Sequence, residues 1–220
     1  MDDLSSQFSL DIPIDQLNLE DNLDDLLEQL ESKKTQNTTI WPKLLGHLLS
    51  TNTLENADYL IDLLLKDKIN EYTARSLAIC YLFSDHGLKD SVNVLLYDYQ
   101  SDEQKSIATI SAAFIVFIAC EDEDSTLKLI SLLKLNTKKS EKKHKSSPLS
   151  LIASITSIFV LSTTIEDDEF IAISKDLIPD LIFYMESDHL ELHLVCSEVL
   201  AYIYQRFNSL KVFIIHIGRV

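Results

Sequence analysis

Two histidines four residues apart on a helix can share one metal ion, and His189 and His193 have that spacing. Their order is His-Leu-Glu-Leu-His, whereas the zinc-protease arrangement needs a Glu directly after the first His, facing the bound water. Here Glu191 falls roughly opposite, and no third ligand stands nearby, so the pair reads as exposed helix histidines with no metal. Serines are plentiful, but no Gly-x-Ser-x-Gly elbow, Walker loop or paired Cys/His motif occurs, so neither a catalytic set nor a cofactor is expected. Cys80, Cys120 and Cys196 sit in or at the end of apolar segments without a CxxC pattern, which predicts reduced, buried thiols in an intracellular protein.

Charge clusters remain as candidate contacts. Lys138, Lys139, Lys142, Lys143 and Lys145, with His144 among them, form the one local basic island. It reads as a solvated connector, or as a loop that meets phosphates or an import receptor. No aromatics interleave, so base stacking is not implied. Two acidic runs, Glu121-Asp122-Glu123-Asp124 and Glu166-Asp167-Asp168-Glu169, each open a helix. Carboxylates are favoured there by the helix dipole and the unpaired N–H groups, and they also suit a basic protein partner. Contiguous acids make a poor cation cage, because adjacent side chains diverge.

The net charge of −16 repels nucleic-acid phosphates, so partners are expected to be proteins with basic surfaces, with no direct reading of DNA. With three Gly and four Pro in 220 residues, the chain is predicted to be all-α. The first thirty-one residues hold ten Asp/Glu and no Lys or Arg, which excludes a secretory signal there. Residues 146–165 carry no charge, but nine of the twenty are Ser or Thr, so an inner helix rather than a membrane span is expected.

Polar pairs at Lys66-Asp67, Ser101-Asp102, Ser147-Pro148 and Ser187-Asp188 each precede a helical apolar stripe. That recurrence predicts an armadillo/HEAT-like α-solenoid of about five helix pairs over residues 22–207. The expected helices comprise one that starts near residue 22 with the stripe Leu23, Leu26, Leu27 and Leu30, and others at 38–50, 54–65, 70–83, 88–99, 102–119, 124–135, 147–163, 167–186 and 188–207, with a basic loop at 136–146. A disordered acidic tail occupies residues 1–21. Ala74, Leu77, Ala78, Tyr81 and Leu82 form one stripe; Ile107, Ile110, Phe114, Phe117 and Ile118 form another. Full burial of Phe114 would make Phe114→Ala cost about 3–5 kcal/mol. Asp188 and Glu191 have cap-and-N3 spacing for the last helix, whose stripe is Leu192, Val195, Cys196, Val199 and Ile203. Residues 208–220 are an apolar ending, either a chain cut before its natural cap or a segment that packs on the last helix pair.

Three segments carry a family resemblance: Leu26-Leu27-Glu28-Gln29-Leu30-Glu31-Ser32-Lys33 with Leu44-Leu45 and Leu48-Leu49-Ser50; Phe117-Ile118-Ala119-Cys120-Glu121-Asp122 leading into residues 127–133; and Glu186-Ser187-Asp188 followed by Val195-Cys196-Ser197-Glu198-Val199-Leu200-Ala201. Over about residues 23–207 the chain resembles the interferon-related developmental regulator family. The resemblance implies an armadillo-like helical domain without enzymatic activity. It further implies regulation of gene expression, through chromatin-modifying complexes or inactive ribosomes, in the cytoplasm or nucleus. The bare fold suits a HEAT-type adaptor in trafficking or transport equally well.

Overall fold

The computed structural model describes residues 23–31, 40–50, 56–66, 70–84, 92, 95–96, 101–119, 123–138 and 147–210. Among them are nine full α-helices, one 3-10 turn and no strand. The chain divides into two compact units, Met1–Ser84 and Asp85–Val220.

The first unit contains α1 (Leu23–Glu31), α2 (Ile40–Ser50), α3 (Ala57–Leu64) and α4 (Glu71–Cys80). Helix α2 lies against α1 and α4, and α3 lies against α4. Leu26, Leu27 and Leu30 recur on one face of α1 and are all buried. Pro42 sits in the first turn of α2, where its missing N–H has no intrahelical partner to lose. The start of α4 is fixed by a reciprocal cap. Asn70 Oδ1 accepts from the Tyr72 and Thr73 N–H groups at 2.9 and 3.0 Å, while Thr73 Oγ1 accepts from the Asn70 N–H at 2.7 Å. Ala74, Leu77, Ala78 and Tyr81 are buried as their spacing predicts, but Leu82 is exposed. The chain tightens into a 3-10 turn at Tyr81–Phe83, and the altered pitch rotates Leu82 off the stripe.

The second unit contains α5 (Asp102–Ala119), α6 (Glu123–Thr137), α7 (Pro148–Ser162), α8 (Asp167–Met185) and α9 (Leu190–Ser209). Helix α7 is central: it lies against α5, α6 and α9, and α8 lies against α9. Three contacts show that α6 and α8 run parallel. Glu123 Oε1 accepts from the Glu166 N–H at 2.7 Å near their starts, Lys134 Nζ meets Asp176 Oδ2 at 2.9 Å midway, and the Tyr184 hydroxyl donates to the Thr137 carbonyl at 3.0 Å near their ends. Edge-to-face aromatic pairs join α7, α8 and α9: Phe159–Tyr202 at 4.9 Å, Phe170–Tyr202 at 5.8 Å and Phe170–Phe207 at 5.7 Å. Pro148 opens α7, and Ser147 Oγ caps it by accepting from the Ser150 N–H at 3.3 Å.

Four expectations are corrected here. The stripe on α5 is not its buried side: Phe114 and Phe117 are 40% and 44% exposed, and Ile107, Ile110 and Ile118 are half-buried. The buried face consists of Ser106, Ala108, Thr109, Ser111, Ala112, Ala113, Ile115 and Val116. Small side chains let another helix approach closely, and that approach leaves no volume for the two Phe rings. Helix α6 starts at Glu123 and continues through Asn136 and Thr137, so the basic loop begins later than residue 136. The cap of α9 falls on His189 rather than Asp188, because Ser187 Oγ accepts the His189 N–H at 3.2 Å and holds the chain extended for one more residue. His189 is accordingly half-buried, while His193 is exposed. Of the helix expected at 88–99, only Val92, Leu95 and Leu96 are described; they are helical, and Leu95 is fully buried. The tail at 1–21, residues 211–220 and Cys120 lie outside the described residues.

Candidate protein-interaction surface

The parallel run of α6 and α8 brings the described acids together at one end of the second unit. Glu123 is engaged internally as the acceptor for the Glu166 N–H, where it stands in for a cap at the start of α8. Asp167 is engaged by Arg206. Asp124, Asp168 and Glu169 are exposed in the first turns of α6 and α8. Glu166 is exposed as well, while Glu121 and Asp122 lie outside the described residues.

Lysines gather at the other end of α6. Lys138 is exposed directly after the helix, and Lys139, Lys142, Lys143 and Lys145 fall outside the described residues. The Lys134 bond, then the charges of Lys134 and Lys138, hold the Asp176 carboxyl below its usual range. Lys138 therefore has a carboxylate of its own chain within electrostatic reach.

Arg206 has no counterpart in the sequence reading. Its Nη1 donates to the Ser162 carbonyl at 2.6 Å, its Nη2 to the Ile165 carbonyl at 2.9 Å and to Asp167 Oδ1 at 2.8 Å, and its guanidinium lies 4.1 Å from the Phe170 ring centroid. One planar cation thus clamps the end of α7, the following turn and the start of α8. Its signal in the sequence was slight: an Arg four residues after Tyr202, where the two meet at 3.4 Å.

Cys80 and Cys196 are buried and unbridged. Burial pushes their thiols up to about 12 and about 11, which makes both poor nucleophiles. Among the described residues, no group of three His, Cys, Asp or Glu could hold a metal ion, and no helix is long and apolar enough to cross a membrane. Several large apolar side chains remain exposed on the second unit, notably Phe114, Phe117, Leu135, Ile182 and Leu190. Comparison with protein-family models, curated proteins and solved structures returns no match.

Proposed function

We propose that this chain is a non-enzymatic scaffold that regulates gene expression by binding other proteins, built as an armadillo/HEAT-like solenoid of helix pairs. The observation that carries the reading is the aromatic stripe of α5, where Phe114 and Phe117 stand 40% and 44% exposed on one face with Ile107, Ile110 and Ile118. Contiguous apolar side chains on a protein surface mark contact sites for other proteins. The parallel alignment of α6 and α8, and the position of α7 between α5 and α9, support a stack of repeated helix pairs. The resemblance to the interferon-related developmental regulators supports the regulatory role, with a chromatin-modifying complex or an inactive ribosome as the larger assembly. The exposed Asp124, Asp168 and Glu169, on a chain of net charge −16, favour basic partner surfaces.

Affinity purification of the tagged chain from cells at moderate salt tests this. Chromatin-modifier subunits or ribosomal proteins should co-purify, and Phe114→Ser with Phe117→Ser should release them without unfolding the chain. Recovery of coat and transport factors alone would overturn the reading in favour of a trafficking adaptor. Changing Lys138, Lys139, Lys142, Lys143 and Lys145 to Ser separates the two arms further. Ribosome association through phosphates should fall in that variant and weaken steeply with salt, as counterion release requires.

A further inference from the structure

We propose that the stripe of α5 takes an amphipathic helix of about three turns from a partner protein, with Lys or Arg at the end that lies over Phe117. This partner presupposes the scaffold reading above and narrows it to one shape, one charge and one direction. Ile107, Ile110, Phe114 and Phe117 recur at intervals of three, four and three, the spacing with which one helix receives the side chains of another. Phe114 and Phe117 are exposed, and Ile107 and Ile110 are half-buried. From Ile107 to Phe117 the stripe runs about 15 Å at about 1.5 Å per residue, which about three turns of a second helix would cover. An extended peptide has no sheet edge to join, since no strand occurs among the described residues.

Chain connectivity fixes the charge at each end of that stripe. Helix α5 ends at Ala119 and α6 begins at Glu123, while α7 ends at Ser162 and α8 begins at Asp167. The Glu166 N–H donates to Glu123 Oε1 at 2.7 Å and joins these two turns, so α5 and α7 end at one edge of the second unit. Asp124, Glu166, Asp168 and Glu169 are exposed along that edge. Arg206, the cation found among them, is already held by the Ser162 and Ile165 carbonyls and by Asp167. Helix α6 runs back against α7 and delivers exposed Lys138 towards the opposite edge, where Pro148 starts α7. At that Ile107 end, Asp102 and Glu103 are offset by Lys105 and Lys138. A partner's cations therefore gain most at the Phe117 end, where one of them can also sit over the exposed ring. Nucleic acid and anionic lipid are repelled by the carboxylate edge, and a second copy of this chain brings another net charge of −16.

A designed peptide tests this on the full chain: a helix of about three turns, with leucines at the same three-four-three spacing and lysines in and after its last turn. Fluorescence anisotropy should show it binding, and a twin with glutamates in place of the lysines should bind at least about tenfold more weakly. Absence of binding by the lysine peptide overturns the proposal. Carbodiimide coupling, which joins a lysine amine to a carboxylate in contact with it, needs no altered chain. It should link the bound peptide to Asp124, Glu166, Asp168 or Glu169, and linkage to Glu103 at the far end of the stripe instead overturns the proposal. Phe114→Ser with Phe117→Ser should abolish binding of the lysine peptide while the helical circular dichroism signal stays. If both peptides bind equally and that variant loses both, the stripe still docks helices but the basic partner is overturned. If that variant keeps both, the scaffold reading of the stripe falls with it.

Discussion

Arg206 reaches three chain segments with one planar group, and its carbonyl partners matter more than its carboxylate partner. The ion pair with Asp167 is half-exposed on the acid's side, at 53% side-chain accessibility, so water screens it. The Ser162 and Ile165 carbonyls sit at the end of α7 and in the turn after it, where helical N–H partners have run out. Arg206→Ala should therefore cost about 2–4 kcal/mol, since it leaves those carbonyls short of donors. Asp167→Asn should cost less than about 1 kcal/mol, because the clamp on the carbonyls stays. Urea denaturation of both variants decides the matter, and equal losses would mean that the ion pair is the dominant contact. The thiols give a second prediction at this scale. Folded Cys80 and Cys196 hold their protons to about 12 and about 11, while an unfolded thiol releases its proton near about 8.5. Above that pH the unfolded chain binds fewer protons than the folded one, so stability falls as pH rises toward the folded values. Cys80→Ala should show a shallower loss of stability than the unaltered chain between about pH 8.5 and 11. Matching slopes in the two proteins would show that the Cys80 proton is not linked to folding.

Helix α5 shows what a periodic pattern does and does not decide. Its bounds, 102–119, were legible from the Ser101-Asp102 break, and Ser101 Oγ accepts the Gln104 N–H at 3.2 Å as the spacing implies. Its buried face was not legible, because Ile, Phe, Ala and Ser alternate around the helix and hydrophobicity alone favours the larger residues. Which face goes inward depends on the gap that the neighbouring helices leave, and here the gap admits Ala108, Ser111, Ala112 and Ile115. Phe114→Ala should therefore cost no more than about 1 kcal/mol, whereas Ile115→Ala, at 0% exposure, should cost about 2–5 kcal/mol. Thermal or chemical denaturation checks the pair, and the reverse order would return Phe114 to the core. Where the large residues also define the apolar stripe, as in α1 and at Leu192, Cys196, Val199 and Ile203 of α9, the sequence pattern and the structure agree, although Val195 of the same stripe is half-buried. The acidic runs were legible as helix starts, but that Glu123 caps the start of α8 was not, since residues 43 apart meet only through the parallel placement of α6 and α8. Arg206 was hidden for the same reason: its partners lie 39 to 44 residues away.

At the scale of the whole chain, the second unit holds a core built from its own residues. Leu129 and Leu133 of α6, Ile155 and Ile158 of α7, Phe170 and Leu181 of α8 and Cys196 and Ile203 of α9 form one continuous cluster. A unit with its own core can fold by itself, because the apolar area that offsets its chain entropy is internal. A fragment of residues 85–220 should accordingly be helical and melt in one cooperative transition. Charge sets the conditions under which this is seen. A chain of net charge −16 repels itself in the compact state, and the repulsion reaches about 30 Å at 0.01 M salt but only about 8 Å at 0.15 M. The melting temperature of the full chain should therefore rise by several degrees between those two salt concentrations, in the direction opposite to that expected if surface ion pairs such as Lys134–Asp176 were the main electrostatic term. Circular dichroism melts of the fragment and the full chain at both concentrations test the two statements together. A fragment that is unfolded at 0.15 M salt would mean that the second unit's core needs the first. A melting temperature that falls as salt is added would place attraction between specific pairs above the overall repulsion.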